Sequence, residues 1–354
     1  MRNRELDGLR GLAALSVALG HCLTATFGID VLLKNADDFP SMSWQQIVGR
    51  LGHVLFPADA AVVVFFVLSG YVLWGSLMRR ESGSLGDCLP YAVTRAYRLL
   101  PVAIASAVTL GFLVPTTSLD LVKNALLLSY NINGPIWSLQ VEVVGSLLIF
   151  AMFALVSRTT PLLLVALMPA LLFAAVQNQH YLVLFLPTFA AGASIHYMPA
   201  RLFAARWLLG AAYVPLILAD LMLGHNLNSR LVAFSAAFVL VGVVATNRPK
   251  FFGSRPAHFL GEISYPFYLF HTTGAVLAHR VIDSAGGMPE NQFAAFLVYA
   301  VVSIGFALPI AYLAHIFVEK PGMQAGASVT ANLRILLMKP RLVTERTSPL
   351  AVAD

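Results

Sequence analysis

Hydrophobic positions along the chain gather into runs of bilayer length, separated by short polar connectors. The runs lie near 10–29, 58–78, 99–117, 137–157, 160–177, 181–198, 207–223, 231–247, 264–282 and 293–317. Each approaches the length that a helix needs to cross a hydrocarbon core. None alternates in polarity as a barrel strand would, and lipid leaves the helix as the other spanning structure. The pattern predicts an all-α integral membrane protein, a polytopic bundle of about ten transmembrane helices. Residues 1–322 form the expected membrane domain and 323–354 a cytoplasmic tail, partly disordered, in which "ANLRILLMKPRLV" reads as a surface helix.

Composition sharpens this picture. Hydrophobic residues make up 58% of the 354 and Asp, Glu, Lys and Arg only 11%, where a soluble domain carries roughly 25% charged residues. The net charge of +6 does not indicate nucleic acid, because the basic residues are scattered through connectors and act as topology signals. With the N-terminus inside, only Lys34, Arg50, Lys123, Arg230 and Arg280 of the 23 Lys and Arg fall outside. Both termini are therefore predicted to be cytoplasmic. Arg2, Arg4 and Arg10 ahead of an apolar core imitate a signal peptide, but the core from Gly11 to Ile29 is long and reads as a retained first helix. Cys22 and Cys88 fall at different depths, so neither a disulfide nor a metal site is expected.

Ionisable groups held inside a bilayer are costly, and each is a site hypothesis. Of nine histidines only His21 and His271 fall well inside a run. In "LDGLRGLAALSVALGHC", Arg10 and His21 are eleven residues apart, about three turns plus roughly 20°, hence on one helix face about 16 Å apart. The small residues between them (Gly11, Ala13, Ala14, Ser16, Ala18, Gly20) allow a helix or a ligand to approach closely. "RAYRLLP" sets Arg95 and Arg98 on one surface at the cytoplasmic entry of a span, suited to phosphates. In "IWSLQVE", Trp137 suits an interfacial belt, while Ser138 and Glu142 face one way at the outer mouth of a span. "GEISYPFYLFH" lines up Ser264, Tyr268 and His271 as a polar stripe.

These segments, with "FFVLSGYVL" and a final "VEKP", occur over about residues 4–322 in the order that resembles acyltransferase family 3, integral-membrane O-acyltransferases of bacterial glycans and some secondary metabolites. The resemblance implies transfer of an acyl group, acetyl by default, from cytoplasmic acyl-CoA to a hydroxyl, in a bacterial inner membrane. The acceptor would be a glycan, a lipid-linked saccharide or a saccharide-like small molecule. His21 and Glu142 are then the candidate catalytic residues, with Arg10, Arg95 and Arg98 binding the acyl-CoA and no metal required. Trp137, Ser138, Tyr268 and His271 are the candidate substrate contacts. One departure stands out: Val63 occupies a position that is often polar or acidic in relatives. In the expected mechanism, phosphates meet the arginines and the pantetheine arm follows the small-residue face of the first helix to His21, which either deprotonates the acceptor hydroxyl or carries the acyl group covalently. Glu142 orients His21 or the acceptor, and Cys22, turned about 100° away from His21, packs. The competing class is a proton-coupled transporter or flippase of a polar, glycan-related substrate, which the same buried groups would suit.

Overall fold

A computed structural model describes residues 3–80, 85–156, 171–175, 177 and 180–338; most of the expected run at 160–177 and the tail from 339 fall outside these. The described chain is helical, with no strand. Helix α1 (Arg4–Phe27) starts where the Asn3 side chain accepts from the N–H groups of Glu5 and Leu6 at 3.1 and 3.3 Å. It stops at Gly28, whose φ of 89° suits glycine. Next come α2 (Trp44–Leu55), opened by a Ser43/Gln46 capping box, and α3 (Ala58–Arg80). They are followed by α4 (Cys88–Leu113), α5 (Ser118–Ala125), α6 (Ile136–Val156) and α7 (Leu186–Ser194). The second half contains α8 (Leu208–Leu223), α9 (Leu227–Asn247), α10 (Arg255–Glu262), α11 (Ser264–Ser284) and α12 (Gln292–Ala314). A π-turn, His315–Glu319, joins α12 to α13 (Lys320–Met338).

Against the ten spans expected, six stretches among the described residues are long and apolar enough to cross a membrane: α1, 44–79, α4, Ile136–Leu155, α9 and 292–337. Tyr181–Tyr197 and α8 are shorter apolar helices. The connector before α3 holds an unexpected helix, α2, and the region assigned to the tail runs on as α13, which packs on α4.

Helix α3 is the hub, packed by α1, α6, α7 and α9. The reason lies in two glycines. A Cβ on Gly70 of α3 would strike the backbone of Phe189, and one on Gly192 of α7 would strike that of Val67. The "SG" of "FFVLSGYVL" is thus a helix-contact element. Phe66 and Phe189 stack at 5.3 Å, and fully buried Trp74 meets Phe153 edge-on at 5.1 Å. The outside is apolar, with Phe112 85%, Val301 72% and Phe317 71% exposed. Such a surface needs lipid as its solvent.

Candidate active site

Helices α1 and α11 bring His21 and His271 together. His21 Nδ1 of α1 lies 2.8 Å from His271 Nε2 of α11, and His271 Nδ1 lies 2.6 Å from the Tyr268 carbonyl oxygen. A carbonyl only accepts, so His271 Nδ1–H is the donor and its neutral Nε2 is left as an acceptor. His21 must then donate from Nδ1, and the lone pair of the neutral ring is confined to Nε2. His271 is buried, whereas His21 is exposed to open space, and the Asp59 carboxylate acts on it electrostatically.

On the side where α1 begins, a cavity of about 840 Å³ is lined by Arg10, Arg95, Arg98, Ser138, Glu142 and Tyr268 among others. Six of the residues expected at a site therefore share one wall. His21, His271 and Trp137 are not part of it. The geometry of α11 explains why. Tyr268 lies three residues before His271, about 4.5 Å nearer the cavity mouth. Its hydroxyl is 2.8 Å from Ser138 Oγ, and its ring packs edge-on against Phe65 at 5.6 Å. Phe65, Ser138 and Tyr268 thus form a single layer between the cavity and the histidine pair.

Charge inside this cavity is largely neutralised by contacts between distant helices. Arg95 Nη2 donates to Glu142 Oε1 at 2.5 Å, with both side chains little exposed. Arg98 Nη1 points at Met323 Sδ at 3.1 Å and feels the Glu319 carboxylate. His315 Nδ1 and Glu319 Oε2, at 2.6 Å, span the π-turn and face the same space. π-Turns commonly mark functional positions in helices. "VEKP" thus carries a cavity carboxylate; the four-residue spacing of His315 and Glu319 was readable in the sequence, but the cavity they face was not.

Two expectations change. Glu142 does not stand at the outer mouth of its helix. It reaches the cavity on the side of the N-terminus and is held by Arg95, while His21 is held by His271. Nor does the small-residue face of α1 offer a ligand route. A Cβ on Gly11 would run into the Leu260–Gly261 backbone of α10, and Ala14 and Ala18 are buried against Ile263, Phe267, Ala307 and Ala311. Protein fills that face; the open path lies between α3, α4 and α11. Cys22 is a free thiol, buried among Ala278, Ile282, Tyr299 and Ala300, and Cys88 is free and exposed.

A second cavity, of about 400 Å³, holds Trp137, Tyr130, Tyr181 and Phe185 together with Asp59, Asp220, His225 and Arg230. It opens on the opposite side, where His225 Nε2–H donates to the Leu32 carbonyl in the loop after α1. Tyr181 sits edge-on to both Tyr130 and Trp137, with centroids 6.2 and 6.1 Å away, and its hydroxyl donates to Gln140 at 2.6 Å. Ligand atoms of Asp59, Asp220 and His225 come within 4.8 Å of one another, with Arg230 in the same lining. Val63 also lines this cavity, and Asp59, one turn earlier on the same helix face, supplies a carboxylate there. That offset was readable in the sequence; the convergence with Asp220 and His225 was not.

Half-buried arginines in one cavity, a hydrogen-bonded histidine pair and a second polar cavity beyond it are the features that the sequence motifs converge on. No curated protein and no solved structure gives a significant match to the chain. A family model described as an acyltransferase domain matches residues 3–313, most of the chain, and the protein belongs to acyltransferase family 3.

Proposed function

We propose that this membrane acyltransferase moves an acyl group, acetyl by default, from cytoplasmic acyl-CoA to a hydroxyl of a saccharide-like acceptor reached from the other side of a bacterial inner membrane. One observation carries the reading: His21, with its lone pair fixed on Nε2, stands one side-chain layer beyond the large cavity and within electrostatic reach of Asp59 in the second.

In this reading the large cavity takes the donor from the cytoplasmic, N-terminal side. Arg10 guides its anionic end. The Arg95–Glu142 pair and Arg98 shape the channel for the polar pantetheine arm. Ser138 and Tyr268 must part to admit the thioester. The acceptor packs on Trp137 and its aromatic neighbours, with Asp59 and Asp220 available to its hydroxyls. His21 Nε2 then takes the hydroxyl proton, and the oxygen attacks the thioester carbonyl. A C–O bond forms, the C–S bond breaks, and the proton passes from His21 to the departing thiolate. His271 touches no reacting atom in this scheme; it positions His21.

The test is purified full-length protein with acetyl-CoA and a mixture of cell-envelope saccharides. Release of free CoA with O-acetylated product, abolished in His21→Ala, is the expected result. Undiminished acetylation by His21→Ala refutes the assignment, and uptake of saccharide without CoA release points to a carrier instead.

A further inference from the structure

Six arginines line the large cavity, and they are not equivalent. Arg95 is bound to Glu142 at 2.5 Å, Arg334 pairs with Asp87 at 3.7 Å, and Arg10 lies 3.9 Å from Asp7. Arg98 is committed to Met323 and to the charge of Glu319. The guanidiniums of Arg79, at the end of α3, and Arg248, just after α9, make no hydrogen bond or ion pair among the described residues. Both are exposed, line the cavity and act electrostatically on the same side chain, Tyr71.

Their surroundings are built rather than incidental. The Tyr71 and His196 rings stack at 4.2 Å and 5°, and His196 Nε2–H donates to the Tyr71 carbonyl at 2.8 Å. That bond leaves Nδ1 of His196 facing away from the carbonyl. A Cβ on Gly75 would meet both the His196 ring, at 3.0 Å, and Nη1 of Arg79, at 3.4 Å. Glycine therefore lets the imidazole and the guanidinium close over one spot. Arg248 has a φ of 47°, in the left-handed region where helices normally end on glycine or asparagine. A long cationic side chain occupies that position against backbone preference. Two guanidiniums that line one cavity and act on one tyrosine supply the residue type that holds phosphate esters through bidentate hydrogen bonds.

We infer that Arg79 and Arg248, with Tyr71 and His196, form a phosphate-ester subsite at the cavity mouth, separate from Arg95 and Arg98. The ligand chemistry is a nucleotide phosphomonoester or diphosphate. On the acyl-CoA reading above, from which this inference takes its ligand, it is the adenosine-phosphate end of the donor. An anionic lipid headgroup and inorganic phosphate share the chemistry and are tested as rivals.

The experiment measures binding of adenosine 3′,5′-bisphosphate to the purified full chain by calorimetry. Wild type, Arg79→Gln/Arg248→Gln and Arg79→Lys/Arg248→Lys are compared, and each is checked for a monodisperse elution profile. The lysine variant keeps the topology-setting charge but loses the bidentate fork. The expected result is binding by wild type, at least about tenfold weaker binding by the glutamine variant and an intermediate value for the lysine variant. The KM for acetyl-CoA should rise in parallel, with the loss confined to donors that carry phosphates, as shown by acetyl-pantetheine. Equal bisphosphate affinity in wild type and the glutamine variant overturns the inference. So does inorganic phosphate binding as tightly as the bisphosphate, or phosphatidylglycerol nanodiscs abolishing the difference where phosphatidylcholine nanodiscs do not. Failure of the donor reading looks different: the arginine-dependent bisphosphate binding persists while acetyl-CoA is not consumed.

Discussion

Removing the acceptor that His271 offers to His21 should slow the chemical step without weakening donor binding. In His271→Leu, His21 Nδ1–H loses the partner now 2.8 Å away, and the ring can adopt the tautomer that blanks Nε2. A polar hydrogen left unpaired by loss of its partner costs about 1–3 kcal/mol. At about 1.4 kcal/mol per decade, that is roughly a 5- to 150-fold fall in kcat. His271 does not line the larger cavity, the one proposed for the donor, so the KM for acetyl-CoA should stay within about twofold, a shift worth roughly 0.4 kcal/mol. His271→Gln restores an acceptor oxygen and should recover part of the rate. The assay is CoA release under saturating donor, with single-turnover traces to isolate chemistry. Wild-type kcat in His271→Leu refutes the reasoning. So does a loss that appears in KM alone, since that would make His271 a donor contact and not a positioning residue.

Further outcomes follow from the same structure. Glu142→Gln or Arg95→Met, by stranding one member of a little-exposed pair, should each lower thermal stability by about 1–3 kcal/mol, less than a fully buried pair because the cavity admits water. The double variant Arg95→Met/Glu142→Met should be closer to wild type than the sum of the singles, read from melting curves in detergent. Gly11→Ala gains about 1 kcal/mol of helix propensity but forces a methyl into the backbone of Leu260 and Gly261. Overpacking of about 1–3 kcal/mol should win, giving a lower melting temperature. Cys22→Ala should keep turnover close to wild type, because the thiol is enclosed by apolar side chains; a loss above about tenfold would make it an acyl carrier. Trp137→Ala should raise the KM for the acceptor about tenfold or more through lost stacking area and leave the donor KM in place, measured by varying each substrate separately.

The sequence by itself determined the solvent and the local structure. Charge scarcity and apolar run length are sums over neighbouring residues, and they specify helices in lipid however those helices are arranged. Caps such as Asn3 and the Ser43/Gln46 box are equally local. The ordered motifs carried the family, and helical spacing singled out Arg10, Arg95, Arg98, Ser138, Glu142 and Tyr268, whose side chains line one cavity. Partnership was another matter. His21 meets His271 across 250 positions, Ser138 meets Tyr268 across 130, and Arg95 meets Glu142 across 47. No periodicity reports which helix lies beside which, so Glu142 was read at the wrong depth and given the wrong neighbour. The small residues of α1 show the same limit, since close approach is legible in a sequence but the approaching body is not. Only the tertiary structure, by packing α10 onto that face and leaving space between α3, α4, α6 and α11, decided where the large cavity lies.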